Sequence, residues 1–376
     1  MNTARTLRVV PAEGRVFRDF VRLPHRLYAG TEQWVAPLTR DVKEMFDPGR
    51  HPFHLHSEVQ PFVAYAGDRA VGRIAAIHNR NHVAFHEEAV GFFGFFEAEN
   101  DPAVAEALFE ASAAWLRERD LETIRGPTSF STNEEAGLLV EGFEHPPVVM
   151  MPYNPAFYTK LIEGAGFEKA KDLIAYRLGT SIPPESLVRR EKKLSERLGV
   201  RTRTLRMDDF EAELKRVRDL YNRAWEKNWG FVPMTDPEIE HMARQLKPLV
   251  ARQPEQVIFA ENEAGDTIGF TLWLFDYNRA LRHAKGRLFP FGILKVLRHM
   301  RGIDFCRVLT LGLVPEARGL GIDNLLIMAL FRHGRASGIM GGEFSWILED
   351  NVAMRKPLER IGSEIYKRYR IYDRPL

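Results

Sequence analysis

The sequence predicts an α/β fold built from two like units in tandem, on the strength of three internal correspondences. The turn GDRAVG at Gly67–Gly72 leads into the strand-like RIAAIHN, and GDTIG at Gly265–Gly269 leads into FTLWLFD. Each reads as a hairpin turn entering a β-strand. Gly166–Tyr176 corresponds to Gly362–Tyr372, with Lys171 and Lys367 at one offset from their glycines and Tyr176 and Tyr372 at another. Between these landmarks each half carries a helical stretch, Ala103–Arg119 and Asn324–Ala336, and then a short strand, Thr123–Gly126 and Gly342–Leu348. The same elements in the same order predict two copies of one unit.

A chain of 376 residues with 45% hydrophobic and 28% charged residues is long enough for two cores and too apolar for extensive disorder. A formal net charge of +2 argues against a nucleic-acid binder. Cys306 is the single cysteine, so no internal disulfide or thiolate cluster forms, as suits a reducing cytoplasm. The start of the chain, MNTARTLRVVPAEGRVF, lacks a signal-peptide core, and no apolar run approaches the ~18 residues of a membrane span. The expected setting is cytoplasmic, with peripheral contact at the inner membrane face allowed.

The first unit is expected over residues 1–178. A boundary falls in TSIPPE at Thr180–Glu185, and the charged helix ESLVRREKKLSERL follows it and stops at Gly199, so 179–199 reads as a linker with a solvated helix. The second unit is expected over 200–376.

In that second unit Val308–Val314 is a continuous apolar strand ending at Pro315. Arg318, Gly319, Leu320 and Gly321 then leave backbone amides uncovered, and a helix starting near Ile322 adds its own unpaired N–H groups. Together these suit a pyrophosphate. Asp323 places an acid inside that helix start. It either supports the helix, weakens anion binding, or reads a cation.

The run VPEARGLGI resembles the acyl-CoA-binding signature of the GNAT superfamily of N-acyltransferases, in which Arg318 and Gly321 match the first two fixed positions. Asn351–Gly362 resembles the superfamily's second landmark, an asparagine after a strand followed by a helix ending in glycine, and Asn154–Phe167 resembles it again in the first half. The resemblance implies two GNAT-like domains, each an α+β mixed sheet flanked by helices. It implies acyl-CoA as co-substrate, held by Leu313, Val314, Arg318, Gly319, Leu320, Gly321, Ile322, Asp323 and Asn351. It also implies that a backbone amide of Leu311–Val314 holds the oxyanion. The N-terminal copy departs from the pattern: FFGFFEAEND at Phe92–Asp101 has no glycine nest, and Glu97, Glu99 and Asp101 oppose a phosphate. That copy is expected to complete the acceptor pocket or to brace its neighbour.

Acyl transfer to an amine needs a base or water relay, because the amine is largely protonated at neutral pH. The strand Gly342–Leu348 ends on Glu349 and Asp350, of which Glu349 is the first choice for the base and Asp350 its rival. Where the superfamily carries a tyrosine acid this chain has Leu358, so Tyr366, Tyr369 or Tyr372 is expected to replace it, with Tyr372 carried forward. Trp225, Trp229 and Phe231, with Trp346 on the strand, are candidate walls of a wide acceptor pocket or core packing.

Arg279–Ile303 contains no acid. Its Ile293, Leu294, Leu297 and Met300 share one helical face, a pattern that suits a membrane surface, a long acyl chain, or a surface helix packed on its domain. These features are similar to acyltransferases with long-chain donors, the bacterial ceramide synthases that N-acylate a sphingoid base among them. The alternative is a GNAT-like protein that binds CoA, lipid or a partner without turnover. His51, His54 and His56, and His78, His82 and His86, are read as loop or helix residues, not as a metal site.

Overall fold

A computed structural model describes residues 7–376; the first six residues, where the signal-peptide reading begins, lie outside it. The chain opens with β1 (Leu7–Pro11), α1 (Gly14–Leu27) and α2 (Thr39–Met45). Then come β2 (Ser57–Ala66), β3 (Arg69–Asn79), α3 (Arg80–His86) and β4 (Val90–Ala98). The first repeat closes with α4 (Pro102–Arg117), β5 (Thr123–Gly126), β6 (Leu138–Glu141), α5 (Tyr158–Gly164) and β7 (Glu168–Leu178). The second opens with α6 (Glu185–Leu198), β8 (Arg201–Thr204), α7 (Phe210–Trp225) and α8 (Asp236–Val250). It continues through β9 (Val257–Glu261), β10 (Thr267–Phe275), α9 (Asn278–Leu281) and α10 (Gly292–Met300). It ends with β11 (Phe305–Leu313), α11 (Ile322–Ala336), β12 (Gly341–Leu348), α12 (Val352–Arg360) and β13 (Glu364–Pro375).

Two compact units result, each discontinuous in sequence. Unit 1 takes Met1–Leu173, Ala280–Val296 and Lys367–Leu376; unit 2 takes Ile174–Arg279 and Leu297–Tyr366. In unit 1 the strands run β1-β2-β3-β4-β5-β13, with β6 also paired to β13; in unit 2 they run β8-β9-β10-β11-β12-β7. Each order ends on the last strand of the other repeat. Each sheet is mixed: β4·β5 and β11·β12 are parallel, while β1-β2-β3-β4 and β8-β9-β10-β11 are antiparallel meanders.

The exchanged strands are held by matching bonds. In unit 1 the Tyr372 hydroxyl donates to Glu163 Oε1 at 3.2 Å, and in unit 2 the Tyr176 hydroxyl donates to Glu359 Oε1 at 2.8 Å. Both glutamates precede their repeat's glycine, Gly166 or Gly362, by the same spacing.

The charged helix α6 occupies the expected residues, and Gly199 ends it in the left-handed region, where glycine alone is unstrained. It is packed, however, where a solvated linker was expected. Leu187 and Leu194 are buried in the core of unit 2, and Arg332 of α11 pairs with Glu191. Helix α10 also differs from its expected packing. Val296 is its buried residue, with Ile293 and Met300 half-buried beside it at helical spacing, while Leu294 and Leu297 face outward.

Candidate functional site

Strands β11 and β12 of unit 2 pair in parallel from Phe305↔Gly341 to Val308↔Phe344, and their register ends there although both strands continue. A register shift against β10 falls at the same place, between Leu272↔Thr310 and Trp273↔Val308, so β11 carries an extra residue at Leu309. Such a bulge bends its strand and releases it from pairing. The two strands therefore part into a cleft that opens at their C-terminal ends. Thr271 Oγ1 donates to Thr310 O at 2.8 Å, while the Thr310 hydroxyl is buried without a hydrogen-bond partner. An apolar cavity of about 50 Å³ adjoins the last paired rung, lined by Cys306, Val308, Ile327, Phe331 and Phe344 among others. Burial pushes the Cys306 thiol up to about 12, which leaves it inert as a nucleophile.

Above the cleft, β11 runs through Leu313 and Val314 into the glycine turn. Gly319 and Gly321 both have positive φ, and Gly321 is the N-cap of α11. Leu320 is exposed between them, and Ile322 anchors the helix in the core. Arg318 does not reach outward as a lone cation. Its Nη2 donates to Ala224 O at 2.6 Å and its Nε to Leu313 O at 3.3 Å, which ties the turn to the end of α7. The Val314 N–H donates to Ile268 O at 3.0 Å, so that amide is committed to the sheet.

Asp323 turns inward onto the helix start. Its Oδ1 accepts from Asn324 Nδ2 at 3.3 Å, and the backbone amides of Asp323 and Asn324 lie beside it, the latter donating to Gly321 O at 3.0 Å. Burial raises its pKa above the usual aspartate value, although those amides and the charges of Arg190 and Arg360 favour the ionised form. The helix start that would meet a phosphate thus already carries a carboxylate of its own.

Glu349 and Asp350 follow β12 at the open end of the cleft, Glu349 half-buried and Asp350 exposed. Arg355 of α12 positions the first of them: its Nη1 donates to Glu349 O at 2.7 Å, and its Nε to the Tyr176 hydroxyl at 2.9 Å. Asn351 caps α12, its side-chain oxygen accepting from Met354 N at 3.2 Å. Tyr372 belongs to unit 1, where it is buried on β13, whereas Glu349, Asp350 and Asn351 belong to unit 2. Tyr369 is likewise in unit 1, and Tyr366 in unit 2 bonds Glu343.

Two of the four candidate tryptophan and phenylalanine side chains flank the parted strands. Trp225 lies against Gly312 of β11 so closely that a Cβ there would stand 2.2 Å from the indole. Trp346 is half-buried on β12, beyond the last paired residue. Phe231 is buried against Tyr221 with centroids 5.7 Å apart, and Trp229 is half-buried in the same loop.

Sequence reasoning missed two groups. Tyr221 stacks on Trp225 at 4.9 Å, and burial holds its hydroxyl far above the usual tyrosine range; its signal was the i, i+4 spacing on α7. Arg307, buried one rung before the last, donates from Nε to Ser345 Oγ at 3.0 Å and from Nη2 to Ser345 O at 3.1 Å, opposite the buried Glu343. An arginine within an apolar strand was its signal.

In unit 1, β4 and β5 also stay paired for only three rungs, Val90↔Thr123 to Phe92↔Arg125, and a register shift accompanies β4 against β3. Its helix start differs. Asp101 caps α4 by accepting from Ala103 N at 3.0 Å, and Arg26 and Arg69 pair with Glu99. Glu97 is buried beside Arg73 at 3.8 Å and accepts from the Tyr158 hydroxyl at 2.8 Å; burial pushes its carboxyl up to about 6. The histidines of residues 51–56 are engaged locally. His54 Nε2 lies 2.8 Å from Met45 O, and His56 Nδ1 lies 2.7 Å from Ser57 Oγ. Among the described residues no group of three or more His, Cys, Asp or Glu is placed to hold a metal ion.

No protein-family model matches the chain. Among curated proteins it is 33% identical over 383 residues to the bacterial ceramide synthase of Caulobacter vibrioides, covering 100% of this chain and 99% of that one. It is 36% identical over 370 residues to protein YghO of Escherichia coli, covering 96% and 93%. Among solved structures it resembles a tandem GNAT protein of the clavulanic acid biosynthesis pathway, with TM-score 0.56, 14% identity and 98% of both chains covered.

Proposed function

This chain belongs to the family of the bacterial ceramide synthase and has the tandem GNAT fold, and from that premise we propose an acyl-CoA-dependent N-acyltransferase acting on a primary amine. We infer further that the acyl group is long and the acceptor a lipid amine such as a sphingoid base. The observation that carries this reading is the parting of β11 and β12 below the Gly319–Gly321 turn. It supports a thioester laid along the free edge of β11, with its pyrophosphate at the start of α11. Residues 200–376 would hold the chemistry, residues 1–178 would complete or brace the acceptor pocket, and 179–199 would join them.

In this reading the neutral amine attacks the thioester carbonyl carbon. Its proton passes to Glu349, directly or through water, with Asp350 the rival acceptor. The negative oxygen of the tetrahedral intermediate is met by a β11 amide other than that of Val314, with the unpartnered Thr310 hydroxyl as a second donor. The carbon–sulfur bond then breaks, giving amide and CoA thiolate. Tyr221, a phenol of this unit stacked on the cleft wall through Trp225, joins Tyr372 as a candidate to protonate the sulfur. Trp225, Trp229, Phe231 and Trp346 would wall the acceptor side. None of these steps calls for a metal ion.

The test is thiol release from acyl-CoAs of increasing length, acetyl to palmitoyl, with sphingoid bases and short amines as acceptors. Release with long chains is expected, and Glu349→Gln should lower kcat roughly 10²–10⁴-fold. Preference for acetyl-CoA would remove the lipid substrate and keep the enzyme. One observation favours a second reading, binding without turnover: Asp323 places a carboxylate in the first turn of α11, at the phosphate end of the cleft. Absence of release from every donor, together with measurable CoA binding, would establish it.

A further inference from the structure

Residues 279–303 carry seven lysines and arginines and no acid. The base of the segment is fixed within unit 1. Arg282 Nη2 donates to Glu32 O at 2.6 Å, and Gly286 O accepts from Thr39 N at 3.0 Å. Gly286 also fits so tightly that a Cβ would lie 2.7 Å from His25 and 2.9 Å from Pro37 O. The tip is built in the opposite sense. Phe289, Phe291, Leu294 and Leu297 are 77%, 70%, 63% and 48% exposed, although Val296 on the other face of α10 is buried. Phe291, Leu294 and Leu297 recur at three-residue spacing, so they share one side of the helix. Lys285, Arg287, Arg298 and Arg301, before and after them in the chain, are exposed as well.

Large apolar side chains held in water cost free energy and mark a contact surface. Here exposed cations flank them in the chain with no acid among them, and the occupant complementary in both respects is an anionic lipid surface, with the apolar residues at the acyl boundary and the cations among headgroup phosphates. No helix among the described residues is long and apolar enough to cross a membrane, so the contact is peripheral. We propose that Phe289, Phe291, Leu294 and Leu297, with the flanking Arg287, Arg298 and Arg301, dock this protein on anionic membranes. The inference does not depend on acyl transfer, since a binding protein would use the same surface.

The test is sedimentation of the full chain with vesicles of equimolar phosphatidylcholine and phosphatidylglycerol, against phosphatidylcholine alone. Binding to the anionic vesicles is expected, weakening as salt rises. Arg298→Glu with Arg301→Glu should lower vesicle affinity roughly tenfold or more, and the matching lysine pair should retain it. Phe289→Ser, Phe291→Ser and Leu294→Ser together should abolish binding while the melting temperature holds. Should that variant fail to fold, Leu294→Trp serves instead, and its fluorescence should shift to the blue on adding anionic vesicles. Failure of the parent to sediment, or a tryptophan spectrum unmoved by vesicles, overturns the proposal. A concentration-dependent dimer abolished by the triple change, without vesicle binding, also overturns it and assigns the patch to self-association. Thiol release with soluble substrates should be unchanged in these variants. Its absence in the parent bears on the acyltransferase reading alone.

Discussion

Asp323 is the residue on which the phosphate end of the cleft turns. Two unit charges about 4 Å apart cost roughly 1 kcal/mol in water and roughly 4 at an effective dielectric of 20. The structure adds that its carboxylate is held at the helix start, where Asn324 Nδ2 donates to it at 3.3 Å. Asp323→Gly should therefore tighten CoA about tenfold, or about 1.4 kcal/mol, by removing repulsion. Isothermal titration of CoA into the two proteins checks it. Because burial raises the Asp323 pKa, the group takes up its proton at higher pH than an ordinary aspartate. CoA affinity of the parent should rise as pH falls through that titration, and Asp323→Gly should lack that component. Equal affinities at every pH would mean that the carboxylate is no competitor. The anion-suited turn was legible from Gly319 and Gly321, because positive φ leaves a compositional mark. The fate of Arg318 was not, since the carbonyl it bonds, Ala224, lies far away in sequence.

Helix α12 shows how one residue type admits two roles. Asn351 was read through its resemblance to a cofactor-binding landmark, and the structure gives it a bond to Met354 N at the helix start. Loss of such a cap costs about 1 kcal/mol. Asn351→Ala should lower the melting temperature by a few degrees, and Asn351→Ser or Asn351→Asp should restore it. Since α12 also carries Arg355, which bonds Glu349 O, the alanine variant should lower kcat more than it raises the KM for acyl-CoA. The opposite split, with an unchanged melting temperature, would make Asn351 a cofactor ligand and not a cap. Helices α6 and α12 were legible because Gly199 and Gly362 punctuate their ends. The outward face of α10 was misjudged for a physical reason. With Ile293, Val296 and Met300 on one side and Leu294 and Leu297 on the other, apolar periodicity does not say which side meets the core.

At the scale of the whole molecule, the repeat was legible because hairpin, helix and strand recur in one order, whereas the exchange of last strands was not. A strand's own residues set its burial pattern, but its partner is chosen by packing with residues remote in sequence. Strand β13 pairs with β5 from Tyr372↔Gly126 to Pro375↔Thr123, and Tyr369, Ile371 and Tyr372 on it are 0–1% exposed. Fully burying three such side chains contributes roughly 5–9 kcal/mol, a large share of the roughly 5–15 kcal/mol that holds a typical domain folded. Removal of Lys367–Leu376 should therefore unfold unit 1, although nearly all of that unit lies in the first half of the chain. A fragment cut at the α6 stop, residues 1–199, should fail for the same reason, and a peptide of residues 364–376 added in trans should restore protection. Hydrogen exchange of the amides in β4 and β5 distinguishes the outcomes. Native-like protection in the fragment alone would show that the first repeat closes its own sheet, with β7 taking the place beside β5. Protection only when the peptide is present would show that the two repeats fold as one cooperative chain, so that neither sheet is complete until the last residues are in place.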